Sequence, residues 1–560
     1  MTGPSAVQID RLATARPQCG DSAVLEALAK PATYGGQEPV AVHETHASWV
    51  FVCGERAYKV KKPLALGFLD HSTLARRHAA CREEVRINEE LAPGIYLGVR
   101  AILVTAHGVQ LAPEHAAGAV EYAVEMRSFS EGDTLAGLIA SGSLASKHIT
   151  AVARRLAAFH RRAPVMSGGG THEVLAMWHA NVRELATAAA RLMQGWPVDL
   201  AEGFADAFVR AHEREIEQRR GAGRVRDGHG DLRCEHVLVV PSVRVVDRLE
   251  FDPALRRTDV ACDLAFLTMD LEALGQTWAA EELVSAYRQH GGDAGSEALL
   301  ASYAVHCALV RAKVALIAAA ERDGAGSAEQ LAKARSLWAL GERLSWRARA
   351  PVAVIVCGPA ASGKSTLAAE LALRSTLPVV SSDAERKSAA GLAPNERLDP
   401  EDYTEQTSRA TYERVGRRAE LALAHGHGVI VDATCRSRAD RALVLRRLHR
   451  TGLTSLVVRC TLSLEMALER ARNRTHDPGR VSDATPEVVA EQYRSFQALE
   501  ELPPAGVLEL DTGQPVGAQV AEVTRAVDRI LACDASSNDR ERAVPQQQRL
   551  SARGGGSGGT

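Results

Sequence analysis

Aromatic residues are scarce in this 560-residue chain, with Phe, Trp and Tyr together making up 4% of it. Stacking platforms for nucleic-acid bases are therefore few, which disfavours a polynucleotide ligand without excluding one. Excess charge of either sign is lacking too. A formal net charge of -2 gives no global pull towards nucleic acid or an anionic membrane and leaves open only a local basic groove. Ten cysteines occur, yet no two form a C-x-x-C pair, which argues against a zinc ribbon or a disulfide framework. Their scatter fits the reduced, mostly buried thiols of a cytoplasmic protein. No run approaches the roughly 18 uninterrupted apolar residues of a membrane span. The N-terminus, Met1-Thr-Gly-Pro-Ser, lacks the basic and apolar regions of a signal peptide. These absences predict a soluble, cytoplasmic protein without a membrane span. At 46% hydrophobic content the chain has ample core for several domains.

Gly358-Pro-Ala-Ala-Ser362-Gly363-Lys364-Ser365-Thr366 is a complete GxxxxGK[ST] loop. The apolar run Val352 to Val356 before it reads as a buried parallel strand, and Leu367 onward as the following helix. Such a strand–turn–helix aims backbone N–H groups and the positive end of a helix at one point, which suits a polyphosphate. Gly358, Ser362, Gly363, Lys364, Ser365 and Thr366 are thus candidate ligands of ATP. Lys364 would reach the β/γ-phosphates, and the Ser365 hydroxyl would join the shell of Mg²⁺.

Downstream, Asp383 and Arg386 follow the strand-like Pro378-Val-Val-Ser-Ser, where open α/β sheets bind substrates. Asp383 reads equally as a helix N-cap. Asp and Arg at this spacing resemble polynucleotide kinases and related small-molecule kinases, which implies that Asp383 activates an acceptor hydroxyl and Arg386 steadies an acidic group. Val429-Ile-Val-Asp432 is an apolar strand ending in an acid at the Walker B position, a candidate Mg²⁺ ligand. Arg470 and Arg474 share a helix face, and Arg480 follows in the Pro- and Gly-containing segment Asp477-Pro-Gly-Arg, which suits a lid. Arginines there would neutralise a transferring phosphoryl group; alternatively they form a solvated charged helix.

The N-terminal half carries a second constellation. His229-Gly-Asp231-Leu-Arg-Cys-Glu-His236 is followed by Val245-Val-Asp247 and Asp263-Leu-Ala-Phe266, and preceded by Tyr58-Lys59-Val-Lys61-Lys and by Glu83-Glu84. In this order over roughly 21–320 the elements resemble the aminoglycoside phosphotransferase family, relatives of protein and choline kinases. The resemblance implies that Asp231 serves as catalytic residue for the acceptor hydroxyl and Asp247 as a metal ligand. Lys59 would bind phosphate with Glu84 orienting it, although Lys61 and Glu83 are close alternatives. Val120 to Arg127, containing Met126, would be the strand entering an adenine-binding hinge. His229 would orient the loop. His236 stands where the family usually has Asn as a second metal ligand, so it either retains a metal, alters metal preference or marks a weakened kinase.

The whole chain resembles two-domain bacterial proteins that fuse such a half to a P-loop kinase. The expected organisation is a loose lead-in at 1–20, a bilobal protein-kinase-like α+β domain at 21–345, a doubly wound α/β domain at 350–533 and a disordered tail at 534–560. Its expected parallel strands are Val352–Val356, Val379–Ser382, Gly428–Asp432, Ser455–Thr461 and Val507–Asp511. The function expected is ATP- and Mg²⁺-dependent phosphotransfer to a small hydroxyl-bearing molecule. A 5′-hydroxyl polynucleotide kinase and a nucleotide-sensing regulator with an N-terminal pseudokinase are the alternatives.

Overall fold

A computed structural model describes residues 22–45, 47–66, 69–193, 195–393, 396–398, 401, 404–426, 428–451, 453, 455–473 and 484–543. Its principal strands are β1 (Ala41–Glu44), β2 (Ser48–Cys53), β3 (Arg56–Lys61), β4 (Tyr96–Thr105), β5 (Gly108–Pro113), β6 (Glu121–Arg127), β7 (Ala353–Cys357), β8 (Val379–Ser381), β9 (Val429–Asp432), β10 (Ser455–Thr461) and β11 (Val507–Asp511). In the first half the main helices are α1 (Leu74–Asn88), α2 (Ser146–Arg162), α3 (Thr171–Leu192), α4 (Val198–Ala211), α5 (Val260–Ala273), α6 (Thr277–Gln289), α7 (Glu297–Ala320) and α8 (Gly324–Arg349). The second half adds α9 (Lys364–Ser375), α10 (Ser382–Ala389), α11 (Glu405–Ala424), α12 (Arg438–His449), α13 (Leu464–Asn473), α14 (Pro486–Ser495) and α15 (Val516–Ala543).

Two compact units emerge: Met1–Gly168 with Ala222–Ala294, and Gly169–Gly221 with Gly295–Thr560. This division does not fall at 345–350, where the sequence suggested a boundary. Helices α3, α4, α7 and α8 belong to the second unit, and their packing explains why. Helix α4 lies against α15, and Arg349 at the end of α8 makes a bidentate ion pair with Asp528 of α15, at 2.7 and 2.9 Å.

In the first unit, β1–β6 form an antiparallel sheet in the order β1-β2-β3-β6-β4-β5. Gly54 supplies the left-handed turn, φ +55°, that joins β2 to β3. Alternation along the strands separates two cores: Ala57, Val124 and Met126 pack with Cys81 of α1, whereas Tyr58, Val60 and Ala123 pack on the other face. The Thr73 hydroxyl caps α1 by accepting the Arg76 N–H, and this helix lies against β6, bringing Glu84 behind β3. Two short ladders, Val225–Asp227 with Arg257–Asp259 and Val237–Leu238 with Arg244–Val245, hold the intervening loops.

The second unit contains a parallel sheet in the order β8-β9-β7-β10-β11, a P-loop kinase-like arrangement. All five strands expected from the apolar runs are present, each within a residue or so. Val354 and Val356 face a core with Leu367, Leu371, Val523 and Val527, while Ala353, Ile355 and Cys357 face one with Val415, Ala419 and Val444. Helix α7 is long and apolar enough to cross a membrane by length and composition, but it is packed against α8 and α3 as a largely buried core helix.

The expected disorder from residue 534 needs correction, because α15 continues to Ala543. Asp534 to Ala543 is polar but contains neither Gly nor Pro, so no residue of that segment breaks the helix. The lead-in 1–20 and residues beyond 543 lie outside the described residues.

Candidate functional site

In the first unit, β3 presents Lys59 and Lys61 to the same carboxylate. Lys59 Nζ lies 2.9 Å from Glu84 Oε1 and 2.7 Å from Asp247 Oδ1, while Lys61 Nζ lies 2.5 Å from Glu84 Oε2 and also pairs with Glu250. The two lysines are thereby distinguished. Lys61 is sealed in the interior with Glu84 and Glu250, whereas Lys59 meets Asp247, whose side chain is 40% exposed. Glu83 points elsewhere and pairs with Arg86.

Burial opposes charge at Lys59, but Asp247 and Glu84 outweigh it and hold the ammonium well above the usual lysine range. Burial likewise pushes Glu84 and Asp247 up, yet Lys59 is the largest influence holding both carboxyls below their ordinary values. Asp247 takes a left-handed backbone, φ +60°, and its N–H donates to the Tyr96 hydroxyl at 3.0 Å.

The loop at 228–236 is fixed from beneath. Asp263 accepts the N–H groups of His229 and Gly230 at 2.5 and 2.9 Å, and His160 Nε2 stands 3.3 Å from it. His229 is buried; its Nε2 donates to the Val246 carbonyl at 2.9 Å, and its Nδ1 accepts the Asp231 N–H at 3.3 Å. Burial pushes the His229 imidazole down to about 4, so it is neutral there. These contacts agree with the orienting role expected of His229.

Arg233 covers the acidic centre: its Nε donates to Asp231 Oδ2 at 3.0 Å, its Nη2 to His236 Nε2 at 2.9 Å, and it also pairs with Glu235. His236 donates from Nδ1 to the Asp231 carbonyl at 2.8 Å, and its Nε2 lies 4.0 Å from Asp247 Oδ2. The structure therefore gathers Lys59, Glu84, Asp231, His236 and Asp247. Met126 stands opposite both Ala57 and Tyr96 in the sheet, with its side chain in the core rather than in the cluster. Sequence reading missed Tyr96, Glu250 and Arg233; each contacts the site through an unremarkable residue type with no local signal.

In the second unit, Gly358 to Gly363 turn between β7 and α9. Gly358 has φ +140°, and a Cβ there would stand 2.7 Å from the Cys460 carbonyl; Gly363 has φ +90°. These two glycines are required by the turn. Lys364 begins α9 and donates from Nζ to the Pro359 carbonyl at 2.8 Å. Ser365 and Thr366 follow in the first turn of α9, with the Ser365 hydroxyl near the Asp432 carboxylate at the end of β9. Burial pushes the Asp432 carboxyl up, with Lys364 pulling the other way. The Ser362 hydroxyl is buried without a hydrogen-bond partner.

Backbone amides, an ammonium, a hydroxyl, an acid and this unpartnered buried hydroxyl together form a donor set that fits a nucleoside triphosphate with a divalent cation. Arg470 reaches the turn after β11 that abuts this loop, donating from Nη2 to the Thr512 carbonyl at 3.0 Å, and Thr512 in turn donates to the Ser362 carbonyl. Asp383 is not the N-cap of α10. Ser381 takes that position, its hydroxyl accepting the Ala384 N–H, and Asp383 sits in the first turn, beside the strand that carries Asp432. Arg386 Nη1 donates to Ser408 Oγ at 3.3 Å. Arg474 and Arg480 lie outside the described residues.

The phosphate loop and the parallel sheet, with Asp432 at the end of β9, define a P-loop kinase-like domain in the C-terminal part. In keeping with this, residues 354–499 match the AAA domain family. Over 487 residues the chain is 31% identical to Uncharacterized protein Rv2004c of Mycobacterium tuberculosis, an alignment covering 85% of this chain and 94% of the relative. It matches Uncharacterized protein Mb2027c of Mycobacterium bovis with the same identity and coverage. The chain belongs to the family of these mycobacterial proteins.

Among solved structures it is similar to a gluconokinase from Sinorhizobium meliloti 1021, with 20% identity, a TM-score of 0.25 and coverage of 34% of this chain and 97% of that one. It is also similar to the APS kinase CysC of Mycobacterium tuberculosis, with 19% identity, a TM-score of 0.25 and coverage of 32% and 98%. A shikimate kinase from Acinetobacter baumannii gives 15% identity, a TM-score of 0.24 and coverage of 33% and 94%.

Proposed function

We propose that this protein is an ATP-dependent phosphotransferase for small hydroxyl-bearing metabolites, with a nucleotide site in each half. The observation that carries the reading is the glycine-turned phosphate loop between β7 and α9 with Asp432 at the end of the neighbouring strand β9, because Ser365 and Asp432 together offer the hydroxyl and carboxylate a Mg²⁺ ion needs beside a triphosphate. Bound ATP with its metal supplies the phosphoryl group. The chain's residues position and neutralise: Lys364 and the loop amides hold phosphate oxygens, Arg470 offsets charge, Asp383 accepts the acceptor's proton and Arg386 binds an acidic group on it.

The N-terminal half we read as an aminoglycoside phosphotransferase-like, bilobal kinase domain, acting on an acceptor of its own. The Lys59–Glu84–Asp247 cluster and the Asp231 loop support that reading. There Asp231 holds or deprotonates the acceptor hydroxyl, Lys59 binds phosphate, and Asp247 with His236 holds the metal. Backbone at the end of β6, after Met126, meets the base. One observation favours a second reading, in which this half binds nucleotide without transferring phosphate: Arg233 engages both Asp231 and His236. A 5′-hydroxyl polynucleotide acceptor is the less favoured substrate of the C-terminal half, given the scarcity of aromatics. Free thiols throughout the described residues support a reducing, cytoplasmic setting.

The test is a metabolite-library screen for an ATP-dependent mass gain of about 80 Da, run with the full chain and with Asp231→Asn and Lys364→Ala forms. Gains lost separately in the two variants support two transferring sites. Tight ATP binding without any acceptor or product would turn the reading to a nucleotide-sensing regulator.

A further inference from the structure

Two side chains remote in sequence anchor the phosphate loop at its peptide planes, beside the backbone bond from the Gly358 N–H to the Thr434 carbonyl. Thr512, in the turn after β11, donates from Oγ1 to the Ser362 carbonyl at 2.6 Å. Gln492, on α14, accepts the Ala360 N–H with its Oε1 at 2.7 Å. A trans peptide is planar, with its C=O and N–H pointing in opposite directions. Drawing the Ala360 N–H towards α14 therefore turns the carbonyl of the same peptide, that of Pro359, the other way. That carbonyl is the acceptor for Lys364 Nζ, at 2.8 Å. A continuous chain thus runs from Gln492 through the 359–360 peptide to the ammonium of Lys364.

Packing holds Gln492 in place. Ala360 and Ala361 at the loop tip meet Ala467 and Ala471 of α13 and Val489 and Tyr493 of α14, so the face of α14 bearing Gln492 lies on the loop. The two anchors act on different groups. Thr512 is buried and tied also to the Thr461 carbonyl in the sheet, which makes it part of the rigid floor. Gln492 is only half-buried on a separate helix, and its amide oxygen is the group that reaches the loop.

We propose that Gln492 is a positioning residue for Lys364: by fixing the 359–360 peptide it pre-aims the lysine at the phosphate site. This rests on the nucleotide-binding reading of the same loop, but its main consequence can be measured without nucleotide. With the peptide fixed, Lys364 Nζ keeps its acceptor and reacts slowly with a lysine acylating reagent. Gln492→Met keeps the length of the side chain and removes the acceptor, so the peptide is free to turn and Lys364 loses its partner.

The experiment uses the full-length chain and follows acylation of Lys364 by peptide mass spectrometry, with ATP affinity measured in parallel. Gln492→Met should label Lys364 several-fold faster and bind ATP about three- to tenfold more weakly, the range expected for one hydrogen bond. Glu491→Gln, one position earlier on the exposed side of α14, serves as a control for general loosening of the helix and should label as the parent does. Unchanged Lys364 labelling in Gln492→Met, or equal acceleration in Glu491→Gln, would overturn the proposal. Failure of the parent chain to bind ATP would instead strike at the nucleotide-binding reading, while the labelling still decides the role of Gln492.

Discussion

The two halves hold their key lysines by opposite means. Lys59 lies between two carboxylates, Glu84 at 2.9 Å and Asp247 at 2.7 Å, within a cluster that also contains Lys61 and Glu250. Lys364 is held by a neutral backbone carbonyl, that of Pro359, in a loop built almost wholly from main-chain groups. A charge cluster sets its geometry through side chains, so changing one carboxylate leaves the facing lysines with an unbalanced buried charge. A backbone site sets its geometry through glycines and peptide planes, and Lys364 supplies the ammonium within the loop itself.

The comparison is broken most severely at Asp231. Asp231→Asn is expected to lower phosphotransfer by the N-terminal half about 1000-fold, the range for loss of a general base, while leaving its ATP affinity within about twofold. The split follows because Asp231 touches Arg233 and the loop, whereas Lys59 and Asp247 pair with each other. Lost ATP affinity with turnover retained would reverse these assignments. Next comes Lys364→Ala, expected to weaken nucleotide binding by the C-terminal half roughly 100-fold, as for loss of a charge-assisted bond of up to about 3 kcal/mol. Calorimetric titration of the full-length chain should then lose one binding step and keep the other. The full chain is the right subject because Trp346 and Arg349, ahead of β7, pack into the same unit as the sheet.

Legibility in the sequence follows the same contrast. The phosphate loop is contiguous, so Gly358 to Thr366, with its strand and helix, can be read from one segment, and the five strands appear as separate apolar runs. Asp432 is readable because a buried strand ending in an acid is unusual. By contrast Lys59, Glu84 and Asp247 meet across 188 residues, and only a family's order of motifs brings them together. Gln492, Thr512 and Tyr96 could not be found, because each acts through hydrogen bonds to backbone and residue type alone does not encode that. The division into units was missed for a related reason. Helices α3, α4, α7 and α8 carry no mark of which sheet they will cover, since an amphipathic face specifies burial but not a partner.

Buried histidines sharpen the contrast through pH. Burial lowers His229 to about 4 from an ordinary 6.5. The unfolded chain therefore binds a proton between these values that the folded chain does not. Stability from this group is complete above about 6.5 and is lost as pH falls towards 4, by at most about 3 kcal/mol. His71, in the same unit, is pushed down to about 4 in the same sense, burial first and Lys61 second. His229→Asn should flatten the fall in stability of the first unit between pH 6.5 and 4 without abolishing it, as followed by urea unfolding at stepped pH. An unchanged slope would show that His229 does not stay neutral in the folded state.

The smallest effect is expected at His236, which stands where the aminoglycoside phosphotransferases that this half resembles usually have Asn. Its Nδ1 donates to the Asp231 carbonyl, and its Nε2, 4.0 Å from Asp247, accepts from Arg233. His236→Asn places an oxygen ligand near Asp247 and withdraws the acceptor from Arg233. Oxygen suits Mg²⁺ better than imidazole does, whereas Mn²⁺ tolerates both. The variant should therefore improve ATP affinity in Mg²⁺ a few-fold relative to that in Mn²⁺. ATP titrations of both forms with each metal, in a Lys364→Ala background that silences the other site, give that ratio directly. A metal ratio equal to the parent's, together with a lower melting temperature, would assign His236 to holding the loop. Asp247 would then act without it.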